Sequence, residues 1–400
     1  MNILFLTMVK ITSLDERGIY TDLLRKFKNE GHLVSVVSPA ERREKQKTQL
    51  KIDESGTSFL TVRTFNLQKT NIVEKGVGTL AMEYQFLSAI KKHFSKTKFH
   101  LVIYSTPPIT FFKVIDFIKR RDDSYSYLLL KDIFPQNAVD MNYITKGGIL
   151  HKMFLKKERE LYEISDTIGC MSSANKKYIL QHNPSVLESK VEVNPNSIYP
   201  IQTNLDTVSI EIIRTKYKLP LDKKIFVYGG NLGKPQGIDF LLEVIENTKQ
   251  TEAFFLIIGA GTEYDRINKW FNEKRPKNAI LLSGLPKNEY DKLLSACDIG
   301  LLFLNKNFTI PNFPSRLLSY LEMQKPIIAA VDSATDIGEI IVKNGCGFSL
   351  QSGDSNKMEI AIKNTLNEEL TKPMKKKAWE LVNKDFHVDL SYNLIISKIN

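Results

Sequence analysis

Short apolar runs rich in β-branched and aromatic residues alternate along the chain with amphipathic stretches of helical length. "NILFLTM" reads as a buried strand, and "GIYTDLLRKFKNEGH" as an amphipathic helix ending at Gly31. The strand "LVSVVSP" follows, then the helix "GTLAMEYQFLSAIKKHF" and the strand "FHLVIYSTPP", closed by two prolines. "ITFFKVIDFIKRR" predicts a helix, "SYLLLKDIFP" a strand, "LHKMFLKKERELYEISD" a long basic helix and "TIGCMS" a strand. After "VEVNPNSIYP" the pattern restarts with the strand "KIFVYGG", the helix "GIDFLLEVIENTK" and the strand "AFFLIIGAG". The same alternation runs on through "AILLSGL", "KNEYDKLLSACD", "IGLLFL", "SRLLSYLEMQ" and "KPIIAAV". Such alternation predicts parallel sheets with helices on both faces. The restart near residue 200 predicts two doubly wound, Rossmann-like α/β domains in series. "ERREKQKTQLK" (Glu41–Lys51) reads as a charged loop, and the last segment, "FHVDLSYNLIISKIN", is amphipathic.

Charge changes the picture by its uneven placement. The 400 residues carry a formal +11. Residues 1–200 hold 30 Lys and Arg against 21 Asp and Glu, and residues 201–400 hold 26 against 24. The excess base of the first half suits an anionic partner, whether phosphate, nucleic acid or membrane surface, and equally a merely solvated surface. Cys170, Cys297 and Cys346 are odd in number and far apart, which predicts reduced buried thiols in a cytosolic protein. "MNILFLTMVK" lacks a basic lead and a small-residue cleavage site and reads as a first strand rather than a signal peptide. No apolar run approaches the roughly eighteen residues needed to span a bilayer.

Two doubly wound domains are expected to bind ligands where loops and helix N-termini converge at the carboxyl ends of their strands. Four loops at such ends carry candidate chemistry. In "GGNLGKPQG", Gly229 and Gly230 end a strand, and Gly233 and Gly237 flank a helix start. Glycines there let backbone N–H groups approach a phosphate, with Lys234 adding charge; a plain strand-to-helix turn would also want glycine. In "NFPSRLLSYLEMQKP", Asn312, Phe313, Pro314 and Ser315 lead into a helix that Ser315 is placed to cap. Arg316 stands in its first turn against the helix dipole, as a bound anion would favour, and Ser319 shares the face of Ser315. In "LLLKDIFPQNAVD", Lys131 and Asp132 close an apolar strand, and in "TMVKITSLDERGIYTDLL", Gly18 precedes a helix.

Taken in order, "STPP", "DIFPQNA", "PNSI", "GGNLGKPQGID", "IIGAGTEYDRI", "GLPKNEYDKLLSACDIGLLFL" and "FPSRLLSYLEMQKPIIAA" make nearly the whole chain resemble a GT-B glycosyltransferase. The family in question is the retaining, sugar-nucleotide-dependent one that builds bacterial polysaccharides. Within it the chain is most similar to capsule and O-antigen transferases of N-acetylated amino sugars such as N-acetylfucosamine. The resemblance implies a domain over 1–198 that receives the acceptor, rejoined by a terminal helix at about 386–400. It implies a sugar-nucleotide domain over 199–385.

It implies further that Lys234, Arg316 and the Gly230–Gly237 loop hold the diphosphate of a UDP-sugar. The family's loop Arg and Lys are replaced here by Asn231 and Gln236. Its E-x7-E glutamates are replaced by Pro311 and Ser319, of which Ser319 departs even from the capsule subgroup. Glu263 matches a family acid near the donor, Leu285 the loop that holds the nucleobase, and Lys131 and Asp132 stand where a histidine is usual. Asp132 is implied to orient or deprotonate the acceptor. The resemblance implies no metal, no cofactor beyond the donor, and no nucleic-acid partner. The implied acceptor is a sugar on a polyprenyl diphosphate, met by a peripheral enzyme at an anionic cytoplasmic membrane face. Two other readings share the fold. A sugar-nucleotide 2-epimerase would want histidines and acids in the site, but His32, His93, His100, His151, His182 and His387 lie outside the glycine loops. A non-catalytic sugar-nucleotide-binding protein would explain the missing glutamates.

Overall fold

The computed structural model describes residues 1–66, 72–203 and 206–399, with side chains from residue 78 in the second stretch. The chain divides into two compact units, Met1–Ile198 with Val388–Asn400, and Tyr199–His387. The first holds β1 (Asn2–Leu6), β2 (Leu33–Glu41), β3 (Gln49–Ile52), β4 (Ser58–Thr64), β5 (Leu101–Ser105), β6 (Tyr125–Leu130), β7 (Thr167–Cys170) and β8 (Val191–Val193). They form one sheet in the order β3-β4-β2-β1-β5-β6-β7-β8. The second holds β9 (Lys224–Asn231), β10 (Ala253–Ala260), β11 (Ala279–Ser283), β12 (Ile299–Phe303), β13 (Ile327–Val331) and β14 (Gly347–Gln351), ordered β11-β10-β9-β12-β13-β14.

Every pairing in the second sheet is parallel. The central strands β5, β12 and β13 are buried along their whole length, as strands covered on both faces must be. Two parallel α/β units are therefore the architecture the alternating pattern predicts. The core of the second packs Phe226, Phe255 and Phe303 with Leu241 and Ile245 of the helix Ile238–Asn247.

The segment Glu41–Lys51 is a correction. Instead of a charged loop it holds the end of β2, a short 3-10 turn (Arg42–Glu44) and the start of β3. β3 pairs antiparallel with β4 at the sheet edge. Gln49, Lys51 and Ile52 are exposed there, so the strand shows none of the apolar alternation that betrays a half-buried one. The alternation also passed over β4, β14 and the helices Ser173–His182, Thr207–Lys216, Ser355–Leu366 and Glu368–Asp385.

The terminal helix Val388–Ile396 belongs to the first unit. Val388 and Ile395 are buried in the cluster built on Phe5, Phe27 and Val36, and the Tyr392 ring lies 5.0 Å from that of Phe27. The Val388 N–H donates to the Ile198 carbonyl at 2.8 Å, so the strands of chain leaving and re-entering the unit are joined. Asn400 lies outside the described residues. The three cysteines are free and buried. Among the described residues no helix is long and apolar enough to cross a membrane.

Candidate functional site

In the second sheet β9 has β10 on one side and β12 on the other, so the strand order reverses between β9 and β12. In open α/β sheets that reversal opens a crevice at the carboxyl ends of the strands. The glycine turn sits there. β9 ends at Tyr228, Gly229, Gly230 and Asn231, followed by a 3-10 turn (Lys234–Gln236), Gly237 and the helix Ile238–Asn247. Asn305, just past β12, fastens the turn from the other side: its N–H donates to the Pro235 carbonyl at 3.0 Å and its Nδ2 to the Lys234 carbonyl at 3.1 Å.

Two glycines are required by the space available. Gly237 has φ +58°, and a Cβ there would lie 2.7 Å from the Leu304 carbonyl oxygen. A Cβ on Gly259 of β10 would meet the Gly230 carbonyl oxygen at 1.8 Å, which is how the two strand ends come so close. These contacts, and not the phosphate alone, account for part of the glycine content of the motifs.

Arg316 opens the helix Arg316–Glu322 and reaches back to this turn. Its Cζ stands 4.3 Å from the centroid of the Tyr228 ring, and Nη2 donates to Gln236 Oε1 at 2.5 Å and to the Asn231 carbonyl at 3.5 Å. Nη1 is buried with no hydrogen-bond partner among the described residues. Tyr228 Oη donates to the Asn231 carbonyl at 3.0 Å. Tyr320 Oη receives the Gly229 N–H at 3.1 Å and faces the carbonyls of Val227 and Leu301, each at 3.1 Å. A guanidinium clamped on three sides with a donor left over is an arrangement an anion would complete, since a buried unpaired donor costs about 1–3 kcal/mol.

The structure thus gathers Gly230, Asn231, Gly233, Gln236, Gly237 and Arg316 about one turn, with Lys234 exposed on it. Gly233 contributes its carbonyl, which accepts the Gln236 N–H at 3.0 Å. Glu263 joins through its backbone, donating to the Leu232 carbonyl at 2.9 Å, while its carboxylate takes Arg266 Nε at 2.6 Å. Arg266 also pairs with Asp239 at 2.8 Å, so Glu263 belongs to a surface ion triad beside the turn. Phe313 is buried 6.0 Å from the Phe386 ring, next to the half-buried Pro314, and the Asn312 carbonyl accepts Thr335 Oγ1 at 2.7 Å. Leu285 lies half-buried in the loop after β11, and Ser319 half-buried on its helix. Neither makes a hydrogen bond to the turn among the described residues. Ser315 does not cap its helix: at φ −63° and ψ −17° it is already helical, and its Oγ forms no capping bond.

The first unit offers a different kind of strand end. Asp132 follows β6, and Asn137 Nδ2 donates to its Oδ2 at 2.6 Å. Thr106, at the end of the neighbouring β5, receives the backbone N–H groups of Lys131 (3.0 Å) and Asp132 (3.2 Å) on Oγ1 and donates to the Asp132 carbonyl (3.1 Å). Desolvation pushes the Asp132 carboxyl up to about 6, against the pull of the Ile133 N–H and Asn137, and pushes the Lys131 ammonium down to about 7. Asn137 Oδ1 is buried without a partner among the described residues. Gly18 also lies in the first unit, at the entry to the helix Ile19–Asn29, where its carbonyl receives the Asp22 N–H at 2.8 Å and its N–H meets Asp22 Oδ1 at 3.2 Å.

Sequence reading missed Tyr228, Tyr320, Thr106 and Asn137. Thr106 and Asn137 stand inside quoted motifs, "STPP" and "DIFPQNA". The signal for Tyr228 is a polar-tipped aromatic at the end of an otherwise apolar strand, directly before glycines.

Two Rossmann-like α/β units, one with an anion-suited turn at its switch point, make up the fold called GT-B. Residues 209–380, within the second unit, match the family described as "Glycosyl transferases group 1". "Probable glycosyltransferase WbjE" of Pseudomonas aeruginosa is 25% identical over 290 residues, covering 72% of this chain and 70% of that protein. Among solved structures, Anabaena HepE in complex with UDP-glucose superposes with a TM-score of 0.72 at 14% identity, covering 100% of this chain and 99% of that one. WaaG, a glycosyltransferase involved in lipopolysaccharide biosynthesis, gives 0.65 at 12% identity, with 98% and 99% covered. These two likenesses concern the fold.

Proposed function

We propose that the protein transfers a sugar from a UDP-sugar to a lipid-linked sugar acceptor during synthesis of a bacterial surface polysaccharide. The observation that carries this is Arg316: held by Tyr228 and Gln236 at the glycine turn, it keeps a buried Nη1 donor without a partner among the described residues at the carboxyl end of the switch strand. The family match supports the reaction class, and HepE, whose structure holds UDP-glucose, supports the donor class. The motif order supports an N-acetylated amino sugar of the N-acetylfucosamine kind.

In this reading the bond from the anomeric carbon to the diphosphate breaks with its electron pair on the departing phosphate oxygen. Arg316, Lys234 and the backbone N–H groups of the turn offset that charge, a contribution often worth several kcal/mol. The acceptor oxygen attacks on the same face and its proton passes to the leaving phosphate, which retains configuration and requires neither a metal nor a strong protein base. Asp132 orients the acceptor hydroxyl, with Asn137 holding the carboxylate in place. Because the acceptor is a membrane lipid, the enzyme works as a peripheral protein on the cytoplasmic face, drawn there by the base-rich first half.

Incubation with a panel of UDP-sugars and a polyprenyl-diphosphate-linked sugar tests this. Transfer with release of UDP, unaffected by EDTA, is expected. Reversible epimerisation of the donor, or donor binding without turnover, would overturn it.

A further inference from the structure

We propose that Tyr143–Leu150 and the lysines around it form a docking surface that seats the first unit on an anionic lipid bilayer by inserting apolar side chains. The proposal deepens the peripheral placement above and rests on that reading for the choice of a lipid surface. Ile149 is 88% exposed, the barest large apolar side chain among the described residues, and Leu150 and Tyr143 beside it are 53% and 51% exposed. The helix Ile149–Ile164 turns His151, Phe154, Glu158, Leu161 and Tyr162 inward. Ile149, Lys152 and Lys156 therefore run along its outer face, three and four residues apart.

Along residues 141–157 the charge has one sign: the stretch contains four lysines and no acid. Lys157 is engaged by Glu160 at 2.9 Å, and Lys156 stands 3.9 Å from the same carboxylate. Lys146 and Lys152 are exposed and in no salt bridge among the described residues. Bare apolar groups ringed by unspent ammonium groups suit an interface with acyl chains beneath an anionic headgroup layer, where lysine stems extend toward the phosphates.

The second unit carries a contrasting pair. Val208 and Ile212 are 63% and 64% exposed on the helix Thr207–Lys216, but Asp206 and Glu211 flank them, so they lack a basic ring. Position also favours the first patch. Asp132 is followed by the short helix Gln136–Asp140, and the loop leaving it is tied back by the Tyr143 N–H to the Ala138 carbonyl at 2.8 Å. The docking loop and the side chain proposed to meet the acceptor thus share one local framework, which would bring the Asp132 strand end to the level where a lipid diphosphate presents its sugar.

Co-sedimentation with phosphatidylcholine vesicles, with and without phosphatidylglycerol, tests the surface. Binding is expected only with the anionic lipid. Ile149→Ser with Leu150→Ser should lower it by roughly tenfold or more. Lys146→Ser and Lys152→Ser should each lower it about fivefold and flatten its salt dependence. Val208→Ser with Ile212→Ser should leave it unchanged, and an effect equal to that of the Ile149 pair would overturn the assignment. Ile149→Trp fluorescence should be quenched by brominated lipid; a bound but unquenched variant would refute insertion. UDP binding on the same samples reports folding and separates the two readings. Vesicle binding absent with UDP binding intact removes the docking surface alone. Vesicle binding intact with no UDP binding removes the transferase reading alone.

Discussion

The strand end at Gly230 and the strand end at Asp132 both lie at carboxyl ends of parallel strands, the first on the switch strand β9 and the second on β6, two strands from β1, and they are built from opposite materials. The first uses backbone, aromatic hydroxyls and a guanidinium whose charge no accessible pH removes. The second uses a carboxyl and an ammonium that desolvation has moved to about 6 and about 7, within the range where a cell lives. Permanent charge suits holding a diphosphate; a group poised near neutrality suits handling a hydroxyl proton. The contrast teaches that the two ends respond to different perturbations: sterics at one, pH at the other.

The hardest blow to the contrast is steric. Gly237→Val forces a β-branched residue to φ +58° against the Leu304 carbonyl, and should destabilise the second unit by about 3 kcal/mol and abolish UDP binding. Chemical denaturation and calorimetric titration read both effects. An unchanged UDP affinity would mean that the turn does not hold the diphosphate.

Asp132→Asn should come next, lowering transfer by about a hundredfold or more while UDP affinity stays as in the parent. It should also flatten a pH dependence. A carboxyl whose value is raised from 3.8 to about 6 keeps its proton longer in the folded chain than in the unfolded one. The stability this contributes is complete below about pH 4 and lost as pH rises through about 6. Well above pH 6 the variant should therefore be more stable than the parent, by up to about 3 kcal/mol, and below pH 4 indistinguishable from it. Denaturation midpoints across that range decide the matter, and a variant less stable at pH 8 would show that the carboxylate is well solvated.

Arg316→Ala should weaken UDP by roughly 1.5–3 kcal/mol, about ten- to a hundredfold, with little change between pH 6 and 8. Arg316→Lys should recover only part of this, because a point charge cannot stack on Tyr228 and reach Gln236 together. The smallest effect is assigned to Lys234→Ala. This side chain is exposed, so its loss should cost less than about 1 kcal/mol and vanish at high salt. Equal losses at Lys234 and Arg316 would erase the distinction between half-buried and exposed charge.

Much of this molecule is legible in its sequence, for uneven reasons. Buried parallel strands such as "LVIYS" and "IIAAV" announce themselves because both faces must be apolar. The edge strand Gln49–Ile52 does not, since its outward residues are as polar as a loop's. At the site, the glycine turn and Arg316 could be placed by residue type, yet their union depends on the strand order β10-β9-β12, which spacing along the chain does not encode. For the same reason Ser315 looked like a cap: its identity fits, but its backbone angles do not. Tyr320 went unread because an aromatic at helical spacing looks like core, and only the structure shows its hydroxyl serving three backbone groups of the strands.

The return of the chain at Val388 has a consequence for synthesis. The first unit's cluster around Phe27 is closed by Val388, Tyr392 and Ile395, which a ribosome delivers only after the whole of Tyr199–His387. The nascent first unit must wait with one apolar face open while the second, whose residues are contiguous, is free to fold as it emerges. In the cell the half translated first is thus the half completed last, and stalled or truncated chains expose the seam around Phe27 to chaperones and proteases.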